Sequence, residues 1–191
     1  MSPPSSNKQL LLIGASRGLG FALAKEYLRR GWHVVATERV RATSQLHDLL
    51  EACGGRLEIE TVDITLPDQV AALRARLAPR EFDLLFVNAG VTNNEHETIA
   101  DASTYEFIRV MVTNALSPMR AVEALQDLVC PSGTIGIMSS GQGSIANNVN
   151  GNHEVYRGSK AALNMLMRSF AARHADDPRT LPLMAPGWVR T

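Results

Sequence analysis

The chain has 191 residues, 45% of them hydrophobic and 20% charged, with Lys+Arg and Asp+Glu equal at 19 each. This composition fits one ordinary soluble domain with a full core, and the charge balance gives no electrostatic ground for nucleic acid or an anionic membrane as the main partner. Cys53 and Cys130 stand without metal-ligand spacing, so no metal site is expected; free buried thiols in a reducing, cytoplasmic setting are the first reading and one disulfide the alternative.

The opening "MSPPSSNKQ" is polar and rich in Pro and Ser, with no apolar run behind a basic segment. It is expected to be a disordered leader over residues 1–8, not a signal peptide, ahead of a single domain over 9–191. "QLLLIGA" reads as a buried strand, and "LGFALAKEYLRRG" as an amphipathic helix stopped by Gly31. "HVVAT" is a second strand, and "TSQLHDLLEACGG" is expected to be a helix ending at a glycine pair. "LEIETVDI" is a third strand, and "LPDQVAALRARLAP" a helix with proline in its first turn, where proline is tolerated. "FDLLFVNAG" is a fourth strand, followed by one long helical stretch from Ala100 to Val129 that contains Pro118. "GTIGIMSS" is a fifth strand; a polar loop then runs from Gly141 to Glu154, and a helix from Tyr156 towards His174. "LPLMAPG" is a sixth strand, and no stretch is long and apolar enough to span a membrane.

Strands alternating with helices imply an α/β fold, a doubly wound parallel sheet with helices on both faces. Runs such as "LLLI" and "LLFV" are apolar without alternation, as both-sided cover requires. Such sheets bind ligands at the carboxyl ends of their strands. The first of those ends carries "GASRGLG", with Gly14, Gly18 and Gly20 leading into a helix and Ser16, Arg17 and Leu19 between them. Glycines there permit a tight turn and close approach to a diphosphate, and the helix start offers N–H groups. The spacing differs from G-x-G-x-x-G, and a turn kept for packing is the alternative.

Glu38 and Arg39 end the second strand. An acid there holds the ribose hydroxyls of NAD, whereas an Arg holds the phosphate of NADP. Arg39 and Arg17 against one carboxylate point to NADP(H), with NAD(H) as the alternative. Glu38 could instead pair with an Arg or face solvent. Asp63, beside Ile64 at the end of the third strand, could accept from adenine or cap the next helix.

Tyr156 and Lys160 lie four apart, on one helix face, so hydroxyl and ammonium share a space. Taken with the glycine turn, "NAG" at Asn88, Ala89 and Gly90, Asn114, "SS" at Ser139 and Ser140, "YRGSK" and "PGWVRT", the chain resembles the short-chain dehydrogenase/reductase family from Leu10 to Thr191. "GSIANN", "YRGSKAALNM" and "PGWVRT" look closest to the branch of C-signal proteins and sniffer-like carbonyl reductases.

The resemblance implies an oxidoreductase acting on a carbonyl or alcohol substrate through Asn114, Ser140, Tyr156 and Lys160. Tyr156 would exchange the proton, its pKa of about 10 lowered by the Lys160 ammonium. Lys160 would also hold the nicotinamide ribose, and Ser140, preferred over Ser139 on spacing, would orient the substrate oxygen. Pro118 deprives the carbonyl of residue 114 of its helical partner, so a bend is expected there. The family uses that place for a proton relay through water; a helix ending near Ala115 and restarting at Pro118 is the alternative. Asn88, Ala89 and Gly90 would lie near the adenosine, and Pro186, Gly187, Val189 and Thr191 would wrap the nicotinamide.

The family pattern continues with a substrate-covering segment and a seventh strand, which the sequence to Thr191 is expected to lack. Ile13 replaces the threonine that often precedes the glycine turn, which changes a local hydrogen bond. The nearly all-round apolar helix "SKAALNMLMRSF" suits a homodimer or homotetramer, as in family members; cover by a following segment of the same chain is the alternative. A nucleotide-binding signalling protein with little turnover is the competing function, and another nucleotide enzyme such as an epimerase a third. The Gly141–Glu154 loop reveals no substrate; His153 and Asn152 are near enough in sequence to line a site, or are plain surface residues.

Overall fold

The computed structural model describes residues 8–39 and 44–187, so all of the expected leader except Lys8 lies outside the described residues. Among the described residues six strands form one sheet in the order β3-β2-β1-β4-β5-β6, every pair parallel. The strands are β1 (Gln9–Ile13), β2 (His33–Glu38), β3 (Leu57–Thr61), β4 (Phe82–Val87), β5 (Val129–Met138) and β6 (Leu183–Met184). The helices are α1 (Gly18–Arg29), α2 (Pro67–Leu77), α3 (Thr104–Met111), α4 (Ser117–Leu125) and α5 (Glu154–Arg173). The chain order turns back between β1 and β4, and that switch opens a crevice at their carboxyl ends.

Successive side chains of a strand point to opposite faces, and the core divides accordingly. Leu11, Ile13, Leu85 and Val87 pack with Leu73 of α2, Val122 of α4 and Phe170 of α5. Leu10, Leu12, Leu84 and Phe86 pack on the other face with Ala24 and Leu28 of α1 and with Leu46. The expected stop at Gly31 is a Schellman closure: Gly31, at φ 84°, donates to Leu28 O at 3.0 Å and Trp32 N to Tyr27 O at 3.1 Å.

Four elements differ from expectation. The segment "TSQLHDLLEACGG" is no helix over its described part from Ser44; it makes turns and one 3₁₀ turn, His47–Leu49. Gly54 and Gly55, at φ 60° and 78°, break its end, and Leu46 and Cys53 are its buried residues. The long helical stretch is divided: α3 gives way to a π-helical turn at Val112–Leu116, then α4 starts with Pro118 in its first turn. Ser117 N bonds Val112 O, five residues back, because the proline beside it cannot continue the ordinary ladder. Strand β5 then begins at Val129, earlier than expected, and β6 is only two residues long.

Among the described residues no helix is long and apolar enough to cross a membrane. Cys53 and Cys130 are free thiols. Tyr105 and Ile108 of α3 and Met165 and Leu166 of α5 are exposed.

Candidate active site

The crevice is built first by backbone. Asn88 N and Ala89 N both donate to Ile13 O, at 2.9 and 3.1 Å, which ties the ends of β1 and β4 together. Asn88 Nδ2 reaches Gly14 O at 2.7 Å. Gly14, at φ 86°, has no room for a side chain: a Cβ would lie 2.8 Å from Ala89. A Cβ on Gly20 would lie 2.1 Å from Gly14 O and 2.6 Å from Asn88 Nδ2. The glycines therefore let helix α1 start directly against the turn.

Arg17, at the N-cap of α1, makes no side-chain cap bond among the described residues, and the first turn of the helix carries no acid. The start of α1 faces a cavity of about 400 Å³, lined by Gly14, Ser16, Arg17, Gly18, Leu19, Glu38, Arg39, Asp63, Ile64, Asn88, Ala89 and Gly90. Twelve expected residues thus line one space, and a diphosphate over the helix start fits it. Thr37, Val62, Thr65, Val91 and Thr113 also line it and escaped sequence reasoning. Thr37 was detectable as a hydroxyl at the carboxyl end of a parallel strand. Its Oγ1 accepts from Gly14 N at 2.9 Å, supplying from β2 a bond to the glycine turn.

Glu38 neither pairs with an Arg nor faces solvent among the described residues. It is 2% exposed, takes Ser44 Oγ on Oε2 at 2.5 Å and lies 3.0 Å from His47 Nε2 through Oε1. Asp63 does not cap α2, whose N-cap is Leu66; its Oδ1 accepts from Thr65 N at 2.9 Å and Thr65 Oγ1 at 2.7 Å.

The second group meets where β4, β5, α5 and the π turn converge. Asn114 is fully buried; its Oδ1 accepts from Val91 N at 2.8 Å, and its Nδ2 donates to Val91 O at 2.8 Å and Ser159 Oγ at 3.0 Å. A Cβ on Gly90 would lie 3.3 Å from Asn114 Oδ1 and 3.7 Å from Lys160 Nζ, so these three residues are close neighbours. Lys160, 3% exposed, donates from Nζ to Met138 O at 2.9 Å. Burial pushes its pKa down from 10.5 to about 8.

Tyr156 is half-buried one turn before Lys160, whose Nζ lies 5.8 Å from the ring centroid. Burial raises the phenol above its ordinary 10, while the hydrogen bond with Ser140 pulls it down. The expectation that Lys160 acidifies the phenol differs from this balance, because the ammonium is directed to the Met138 carbonyl and is itself poorly solvated. The two serines diverge. Ser139 Oγ donates to Asn164 Oδ1 at 2.5 Å in the interior, whereas Ser140 stands beside the phenol and caps the 3₁₀ turn Gly141–Gly143, its Oγ accepting from Gln142 N at 3.1 Å.

His153 and Asn152 both adopt left-handed backbone, at φ 51° and 56°. The His153 ring stands edge-on to Tyr156, with centroids 6.3 Å apart. Pro186 and Gly187 follow β6 and are not among the cavity-lining residues; Val189 and Thr191 lie outside the described residues.

The short chain dehydrogenase family model matches residues 8–191. The chain is 31% identical over 186 residues to 1-hydroxy-2-glutathionyl-2-methyl-3-butene dehydrogenase of Rhodococcus sp. (strain AD45), covering 95% of this chain and 78% of that one. Among solved structures, a short-chain dehydrogenase/reductase from Burkholderia multivorans with bound NADP superposes at TM-score 0.95 and 61% identity, over 97% of this chain and 81% of that one. The carbonyl reductase Sniffer of D. melanogaster superposes at 0.86 and 27% identity, over 95% and 81%.

Proposed function

The chain belongs to the short-chain dehydrogenase family, and we propose that it exchanges a hydride between NADP(H) and a carbonyl/alcohol substrate, with Tyr156 as proton donor and acceptor. The observation that carries this is the meeting of Tyr156 with Ser140 and Lys160, with Lys160 Nζ close beside Gly90 of the glycine-cradled cavity that Arg17 and Arg39 also line. Relatives in the Burkholderia and Sniffer structures supply the cofactor and the carbonyl class by similarity.

The dinucleotide, when bound, would supply the hydride at its nicotinamide ring. Ser140 donates to the substrate carbonyl oxygen and orients it. Tyr156 passes its proton to that oxygen as negative charge develops there. Its phenol leaves this step as phenolate and is reprotonated before the next turnover. The Asn114 side chain fixes Val91 and Ser159, and with them the spacing of the β4 loop to α5. The π turn at residues 112–116 frees helix backbone beside Lys160, where a relayed proton could pass to water.

The exposed Met165 and Leu166 of α5, with Tyr105 and Ile108 of α3, are taken as the face on which a second copy packs, and light scattering checks it. The two free thiols fit a cytoplasmic setting. Steady NADPH oxidation with a panel of aldehydes and ketones tests the function. Tight NADPH binding without turnover of any carbonyl would overturn it.

A further inference from the structure

Glu38 closes β2 at the cavity, where an acidic side chain ordinarily accepts from the ribose hydroxyls of NAD. In this chain its side chain is 1% exposed and each of its oxygens has a partner: Oε2 with Ser44 Oγ at 2.5 Å, Oε1 with His47 Nε2 at 3.0 Å. The segment carrying both partners is anchored by Leu46, fully buried in the cluster with Leu10 and Ala36 of the sheet. The next residue, Arg39, is exposed and lines the cavity with Arg17. The acid is turned in, and the two guanidinium-bearing residues remain at the cavity.

We infer that Ser44 and His47 set the cofactor selectivity by holding the Glu38 carboxylate away from the ribose. The cavity then meets the 2′-phosphate of NADP with Arg17 and Arg39 and without the Glu38 carboxylate opposing them; this rests on the NADP(H) reading above. A free carboxylate facing a phosphate repels it, whereas the same group facing two hydroxyls binds them. Removing the clamp leaves Glu38 buried and unpaired, which is unfavourable enough to turn it towards the cavity. Ser44 and His47 are therefore positioning residues that act through Glu38.

The test is direct binding. Dissociation constants for NADPH and NADH are measured by fluorescence titration of the whole chain in four forms: wild type, Ser44→Ala/His47→Ala, Glu38→Gln, and the triple variant. The clamp variant is expected to lose about tenfold of its preference for NADPH over NADH, and the triple variant to regain most of it. Glu38→Gln alone is expected to move the preference by less than about threefold, because the acid is already masked. A clamp variant that binds both cofactors equally more weakly, without recovery in the triple variant, overturns the inference, since loop disorder alone would do that. An unchanged preference in the clamp variant also overturns it while leaving the NADP(H) reading standing. A wild-type chain that prefers NADH overturns both.

Discussion

Asn114 clasps Val91 at both backbone polar atoms, accepting from its N–H and donating to its carbonyl at 2.8 Å each. One side chain thereby completes the backbone of the loop that leaves β4, and a third bond to Ser159 ties that loop to α5. Truncation leaves buried donors and acceptors without partners. Asn114→Ala is expected to lower stability by about 2–4 kcal/mol. Urea unfolding with an unchanged m-value checks this, and a loss within experimental error contradicts it.

Arg39 is the exposed cation at the end of β2, where a 2′-phosphate would lie. Arg39→Ala is expected to weaken NADPH by about 10- to 100-fold, the range of a charge-assisted hydrogen bond, and NADH by less than about twofold. Titration of the two cofactors side by side decides it; equal weakening removes Arg39 from the phosphate site.

Lys160 gives a pH dependence of known sign. Burial lowers its folded pKa to about 8 from 10.5, so between those values the unfolded chain binds more protons. Stability therefore rises with pH through that window and is lost as pH falls through the folded value. Over the 2.5 units between 10.5 and about 8, the group contributes roughly 3 kcal/mol. Wild type is expected to gain about that much on Lys160→Met between pH 8 and 10.5 in urea unfolding. A pH-independent difference would show the ammonium to be solvated.

Much of this was readable in the chain. Apolar runs with no alternation gave away strands covered on both faces, and Gly14 and Gly20 marked the place where a Cβ would collide. Pro118 marked the disturbed helix, but not its form, a π turn that buries Asn114 and Ala115. The segment after β2 misled because Leu46, Leu49 and Leu50 look helical in spacing. Its shape is set instead by attachments outside the segment: Ser44 and His47 to Glu38, and Leu46 to the core. No local pattern encodes such contacts, and the same gap hid the fate of Glu38. Spacing favoured Ser140 over Ser139 in the sequence; the structure adds that Ser139 turns inward to Asn164, which also bonds Gly143 O, while Ser140 stands beside the phenol.

Under the proposed function the Tyr156 hydroxyl moves the proton in carbonyl reduction. Tyr156→Phe removes that oxygen and little else, since the ring keeps its place beside His153 and Lys160. Steady-state NADPH oxidation with a turned-over ketone, together with NADPH titration of the same variant, is the most direct measurement. Turnover is expected to fall about 10²- to 10⁴-fold while the NADPH dissociation constant stays within about twofold. A variant that reduces the ketone at close to the wild-type rate would contradict the account.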